Sequence, residues 1–255
     1  AKAWKAPVRE ITVENGVLAH PSGKSAGFGA FAVAAAAEIP PSKPTLKSPD
    51  QFKLIGKSGH RRVDTDAKIR GQAIYTQDIM RPGMLTAVIA RAPRFGGKVR
   101  AFDDSAARAI KGVEDVVQVP QGIAVLAKNT WVALQGRDAL EIEWNDDAAE
   151  KRSTDQIVAE YRALAEKPGL PAKNEGNAEA ALKEAVSIVE ATFEFPYLAH
   201  APMEPMNAVA DLKPGQSLEI WTGSQLQTLD QYVAAKVAGL EVSQVKINTV
   251  FAGGS

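Results

Sequence analysis

The stretch from Trp221 to Ser255 leaves the chain little freedom, because two incompatible periodicities stand back to back in it. Leu226, Leu229, Val233, Val237 and Leu240 recur at helical spacing, Thr222 or Ser224 can cap the start, and Gly239 can end it. From Val245 to Phe251 the pattern changes to a β-branched alternation, Val-Lys-Ile-Asn-Thr-Val-Phe, before Gly253 and Gly254 stop it. The reading is strand, amide-bearing turn, helix, strand and glycine turn. It places Gln225 near a helix N-terminus and the glycines just past a strand. A helix start offers unpaired backbone N–H groups, and side-chain-free glycines let a backbone approach an anion closely. A primary amide both donates and accepts, so Gln225 can grip an oxo group or a polar ring edge. Taken singly, Gly-Gly-Ser after a strand is most often a turn, and a lone Gln at a helix start is most often solvated.

Composition narrows the partners. Thirty Lys and Arg balance thirty Asp and Glu, so no overall field draws the chain to nucleic acid. The absence of cysteine excludes a disulfide framework and any iron–sulfur cluster held by this chain's own thiolates. The most apolar run, residues 28–37, is far shorter than the ~20 residues a membrane helix needs. A strand followed by a half-made turn at the last residue predicts an internal piece of a longer polypeptide.

Ahead of that stretch the elements alternate. Val8 to Val13 reads as a strand, Glu14-Asn15-Gly16 as a hairpin turn, Val17 to His20 as the partner strand and Phe28 to Ala37 as a helix. Residues 38–52 carry Pro40, Pro41, Pro44 and Pro49 and read as a linker. Strands are expected at Met84 to Ala90, Val113 to Val119, Ile123 to Ala127 and Leu140 to Trp144. Helices are expected after Asp103, ended by Gly112, and after Asn129 or Thr130, with Trp131 and Leu134 inward. This β-α-β-β-α-β order suits an α+β domain. The basic turn Arg94-Phe95-Gly96-Gly97-Lys98 lacks the setting and spacing of a nucleotide-binding loop. Ser153-Thr154-Asp155-Gln156 is a capping box for a helix whose apolar side is Ile157, Tyr161 and Leu164, and Asn177 opens another. Ser187 to Leu198 alternates as a long strand, and Asn207 to Lys213 pairs with Ser217 to Trp221 around Pro214-Gly215.

Several runs together resemble the large, molybdopterin-binding subunit of the xanthine dehydrogenase and aldehyde oxidase family. Within it they resemble the branch of isoquinoline 1-oxidoreductase β-subunits and membrane-associated aldehyde dehydrogenases. The runs are residues 197–208 (Tyr-Leu-Ala-His-Ala-Pro-Met-Glu-Pro-Met-Asn-Ala), Ser224-Gln225 with Gln231 six residues on, and Ala252-Gly253-Gly254-Ser255. Residues 71–79 and Arg81-Pro82-Gly83-Met84-Leu85 resemble the opening of the family's hammerhead domain.

The resemblance implies an α+β fold in which an α/β hammerhead domain at 53–145 precedes the N-terminal part of a molybdopterin-binding α+β domain at 150–255. Residues 1–37 then belong to a further part of the molybdenum-binding region. It implies a molybdopterin-type molybdenum cofactor, with a cytosine dinucleotide form as one alternative. The implied reaction is hydroxylation of an aldehyde or N-heterocycle, with water as oxygen source and hydride transfer to a Mo=S centre. Gln225, Gly253, Gly254 and Ser255 match the cofactor-binding positions, although Ser255 stands where the wider family most often has glycine. Glu204 reads either as a substrate-pocket or orienting carboxylate or as one that pairs with backbone at a strand start. His200 reads as a core or interface histidine rather than a metal ligand, since no second His or Cys stands at ligand spacing. No residue matches the family's general base, so the chain alone is expected to be inactive. Implied partners are the rest of the large subunit, an iron–sulfur subunit, a cytochrome c subunit in this branch and a small-molecule substrate, in a periplasmic or membrane-associated bacterial complex. Two other readings are a cofactor-free accessory protein that keeps the fold and an unrelated binding module.

Overall fold

Glycine and asparagine chemistry sets the first turns of the structure, a computed structural model that describes residues 1–254. Two units divide the chain, Ala1–Thr65 and Asp66–Ser255. In the first, Asn15 and Gly16 both take positive φ (49° and 78°), the conformation of a tight hairpin turn. They join β1 (Thr12–Glu14) to β2 (Val17–Ala19), and β3 (Ser25–Gly27) pairs along the other side of β2, all antiparallel. The expected strand from Val8 is shorter. Its partner ends at Ala19, so only Thr12 to Glu14 find ladder bonds, and Val8–Glu10 winds into a 3-10 turn. The expected helix over 28–37 is a 3-10 turn, Phe28–Phe31, running into α1 (Ala32–Ala36). Residues 38–52 form neither strand nor α-helix. Surface contacts such as Lys2–Glu38 (2.6 Å), Lys53–Glu14 (3.0 Å) and the edge-on Trp4–Phe31 ring pair tie this unit together. Among its described residues no side chain is fully buried.

A one-turn helix, α2 (Thr65–Ile69), precedes the body of the second unit. There β4 (Thr86–Arg91), β5 (Lys98–Asp103), α3 (Ser105–Arg108), β6 (Val113–Val119), β7 (Gly122–Ala127), α4 (Thr130–Asp138) and β8 (Glu141–Asn145) follow in order. The sheet runs β4-β7-β6, antiparallel throughout, and β5 pairs with β8. Ile123 and Val125 on the central β7 are completely buried and pack with Ala107 and Val116. Asn129 caps α4 as expected, accepting from Val132 N–H (2.9 Å). Asp103 lies one residue ahead of the cap position of α3, which Asp104 occupies without a side-chain bond, and its carboxylate accepts from Ser105 N–H (2.8 Å). The helix ends at Arg108, shorter than expected, so Gly112, with φ +100°, turns the chain into β6 rather than closing α3. β5 is an element the alternation did not announce. Trp131 also departs from expectation and faces solvent, because α4 meets the sheet through Ala133 and Gly136, which leave no room for an indole.

Beyond a polar joint lie α5 (Thr154–Ala165) and α6 (Ala178–Glu184), opened by Ser153 and Asn177 as N-caps. The strand expected over 187–198 does not form. A strand exists only when a neighbour takes its backbone groups, and among the described residues nothing pairs with this segment. It lies instead as an irregular run beside α5, where Tyr161 and Tyr197 hydroxyls meet at 2.7 Å and Arg162 bonds Glu194 at 2.5 Å.

The chain then builds β9 (Ala208–Lys213), β10 (Ser217–Thr222), α7 (Gln227–Ala238) and β11 (Val245–Thr249). β9 and β10 are an antiparallel hairpin, whereas β11 returns parallel to β10 after the α7 crossover. Gly239 closes α7 in the left-handed region with φ +66°. The buried face of α7 is not the expected leucine and valine stripe. Ala234, Ala235 and Ala238 lie against Leu218 and Val245, because small residues let the helix approach the sheet closely; of the expected stripe Leu240 packs there too, while Leu226, Leu229, Val233 and Val237 point outward.

Candidate functional site

Two parallel strands that end level with each other create the site. Thr222 pairs with Thr249, and Val250 N–H donates to the Thr222 carbonyl (3.1 Å), so the turns after β10 and β11 leave the sheet side by side. A methyl carbon built on Gly223 would stand 2.6 Å from Ala252 Cβ, which means the two turns touch. In sheets with parallel strands, ligands collect outside these carboxyl ends.

The first turn is braced from within. Ser224 is buried and its hydroxyl donates to Asp230 Oδ2 (2.5 Å), while its carbonyl accepts from Gln227 Nε2 (3.1 Å). Gln225 sits on the outer bend of this turn, exposed and two residues ahead of the first residue of α7. Neither Thr222 nor Ser224 caps the helix. Leu226 occupies the cap position, with no side-chain bond, because the Ser224 hydroxyl is taken by Asp230 and that of Thr222 by the Asn207 carbonyl (2.9 Å). Gln231 faces inward and donates to the carbonyls of Val242 (3.2 Å) and Val245 (2.7 Å), tying the helix to the start of β11.

Earlier parts of the unit hold the second turn. Phe251 forms a parallel bridge with Tyr75, its N–H donates to the Ile74 carbonyl (3.0 Å), and the two rings lie 5.9 Å apart. Gly253 N–H donates to Glu204 Oε2 (2.9 Å). The other oxygen, Oε1, accepts from Gln77 N–H and Asn207 Nδ2, each at 3.3 Å. Gly254 has φ +151°, and a methyl carbon there would stand 2.1 Å from Pro202 Cβ. Only glycine fits both positions, since one built on Gly253 would lie 2.4 Å from Glu204 Cβ. The structure thus gathers residues 74–77, 202–207, 222–225 and 251–254.

Of the residues singled out in the sequence, Gln225 and Gly253–Gly254 lie on two neighbouring turns that touch through Gly223 and Ala252, Glu204 bonds the second turn, and Ser255 lies outside the described residues. Glu204 accepts from the backbone N–H groups of Gln77 and Gly253 and from the Asn207 amide, four residues ahead of β9 rather than at a strand start. His200 lies exposed in the irregular run rather than in a core. Asn207, Gln77 and Asp230 escaped sequence reasoning, since their partners lie in other segments or a turn away, and no spacing rule connects them. Arg81 also escaped. It spans from Asp211 (3.0 Å) to the face of Trp221 (4.9 Å), bracing the outer side of the hairpin. On the same sheet Lys246 first, then Asn248, holds the Glu219 carboxyl below the usual carboxylate range.

Among the described residues no three His, Cys, Asp or Glu side chains gather to hold a metal ion directly. An exposed amide beside a glycine turn suits a group that brings its own metal ligands. Residues 164–255 match the molybdopterin cofactor-binding domain family. Over its whole length the chain is 28% identical to the isoquinoline 1-oxidoreductase subunit beta of Brevundimonas diminuta, covering 38% of that protein.

The chain is similar to the molybdopterin-binding subunits of the xanthine dehydrogenase and aldehyde oxidase family.

A second family relative is the membrane-bound aldehyde dehydrogenase (pyrroloquinoline-quinone) of Gluconacetobacter polyoxogenes. It is 32% identical over 84% of this chain and 29% of its own length. The chain therefore spans only about a third of these relatives. The fold agrees. The structure of quinoline 2-oxidoreductase from Pseudomonas putida 86 superposes with a TM-score of 0.56 and 18% identity, over 76% of this chain and 30% of that one.

Proposed function

We propose that this chain forms part of the wall of a molybdopterin-type cofactor site in a multi-subunit molybdenum hydroxylase acting on an aldehyde or an N-heterocycle. The observation that carries the reading is the meeting of the Gln225 turn and the Gly253–Gly254 turn at the ends of two parallel strands. When bound, the cofactor supplies two-electron redox chemistry and transfer of an oxygen that originates in water. What the chain supplies is position. Gln225 offers an amide that donates to an oxo group or accepts from a pterin edge, and it stands at the electropositive end of a twelve-residue helix. Gly254 is exposed, its missing side chain makes room for Pro202, and its backbone is the part of the turn left to meet the cofactor. Gly253 contributes mainly shape, because its N–H is already accepted by Glu204. None of these groups is a general base, so proton abstraction falls to another part of the enzyme.

In this reading residues 53–145 are the hammerhead domain, 150–255 open the molybdopterin-binding domain, 38–52 are a linker and 1–37 belong to a further molybdenum-binding portion. An iron–sulfur subunit and a cytochrome c subunit take the electrons, and the cofactor is a molybdopterin with a cytosine dinucleotide form as one alternative. Association with a membrane is suggested by the name of the Gluconacetobacter relative. Among the described residues no helix is long and apolar enough to cross a membrane, so contact would come through other parts of the complex.

The test is Gln225→Ala in the full-length subunit with its partners. Molybdenum per folded subunit is expected to fall several-fold and turnover with it, while the unfolding temperature of the cofactor-free protein stays put. Normal metal content and turnover would overturn the reading.

A further inference from the structure

We infer that Glu204 is a positioning residue that clamps the glycine turn. Its carboxylate fixes the Gly253 backbone to two other segments and so sets where Gly254 faces the ligand. The importance of that placement rests on the proposed cofactor site; the clamp itself does not.

Three N–H donors converge on this one side chain. Gly253 N–H reaches Oε2 at 2.9 Å, and Gln77 N–H and Asn207 Nδ2 reach Oε1 at 3.3 Å. The donors come from segments separated by 127 residues on one side and 49 on the other, so a single carboxylate staples three stretches, adding to the bridge that already pairs Tyr75 with Phe251. An ionised carboxylate is an acceptor at both oxygens, which is what three converging N–H groups require. Glutamine would fail here. Whichever way its amide is turned, an NH2 group meets either the Gly253 N–H or the Gln77 and Asn207 donors.

Packing makes the arrangement exclusive. The Glu204 stem lies so close to Gly253 that a methyl carbon there would meet Glu204 Cβ at 2.4 Å and Oε2 at 3.0 Å. Pro202, two residues earlier, fills the space beside Gly254, and Asn207 also donates to the Pro205 carbonyl (3.0 Å), holding the 202–207 bend rigid. With both oxygens occupied by chain segments, Glu204 acts on a ligand only through the backbone it holds.

Amide hydrogen exchange of the full-length subunit, in both cofactor-free and loaded forms, tests this alongside molybdenum content. In Glu204→Gln we expect exchange at Gly253 in the cofactor-free form to rise roughly tenfold or more, with β7 unchanged and metal content reduced several-fold. Gln225→Ala should lower metal content without altering Gly253 exchange in that form. If exchange rises in Glu204→Gln but metal is retained in full, the clamp stands and the proposed cofactor site falls. Unchanged exchange overturns the clamp, and if metal is nevertheless lost Glu204 acts on the ligand directly. Should Glu204→Gln fail to fold, Gly253→Ala opens the same contact from the other side. It must show the same local rise, and no rise there rejects the proposal.

Discussion

A single missing methyl group separates two kinds of glycine in this protein. Gly136 lets α4 settle on the sheet, since a methyl carbon there would stand 2.7 Å from Val125 Cγ1 and 3.0 Å from Val113 Cγ2. Gly223 lets the two turns of the candidate site meet, with Ala252 Cβ at 2.6 Å and Ala252 Cα at 3.0 Å. Alanine at either place overpacks its surroundings and should cost about 1–3 kcal/mol in denaturant unfolding. Their effects on the cofactor should differ. Gly136→Ala is expected to keep normal molybdenum per folded molecule, whereas Gly223→Ala pries the turns apart and should lose most of it. Equal retention in the two variants would mean that contact between the turns is packing and nothing more.

Among the elements, α5 shows how a helix is anchored at a joint. Ser153 accepts from Gln156 N–H (3.3 Å) and Gln156 returns a bond to Ser153 N–H (2.8 Å). Just ahead, Arg152 grips Glu150 through Nε (2.9 Å) and Nη2 (2.5 Å) and also bonds Glu160 on the helix. The Arg152 guanidinium, followed by the Arg152 backbone N–H, holds the Glu150 carboxyl down at about 2, against 4.5 in an unfolded chain. A depressed carboxylate stabilises the fold fully above its unfolded value and loses that contribution as pH falls through the folded one. Acid unfolding of the wild type should therefore steepen between about pH 5 and pH 2 relative to Glu150→Gln, whose curve is flatter there. Parallel curves would show that the pair contributes nothing at this exposed surface. Such caps were legible in the sequence because they are local, and so were Asn129, Asn177 and the left-handed Gly239. The 187–198 alternation and the stripe on α7 misled, because each reported apolarity without its partner. A strand needs a neighbour, and the inner face of a helix is chosen by how closely it must approach the sheet. Gln225 and the glycine turn could be singled out from their resemblance to a family pattern. The bonds of Glu204 could not, because they join segments far apart in the chain.

At the scale of the whole molecule, burial is spread very unevenly. Ile123, Val125 and Ala127 on β7 are fully enclosed between neighbouring strands and α4, while Val186, Val189, Phe193, Phe195 and Leu198 stay open to solvent in the run that forms no ladder. Backbone amides exchange slowly only where opening must disrupt buried contacts and hydrogen bonds together. In the 255-residue chain, β7 should be the slowest-exchanging segment, and β10, bonded on both sides, should come next. Residues 38–64 and 186–206 should exchange orders of magnitude faster and take the first proteolytic cuts, since few of their backbone groups have protein partners. An apolar run that alternates yet lies open is poised to pair when a strand is offered. In the multi-subunit assembly proposed above, the same measurement should then show 187–198 gaining protection while β7 stays as it was. Protection there already equal to β10 in the isolated chain would mean that the segment has a neighbour of its own and that this division of stability is wrong.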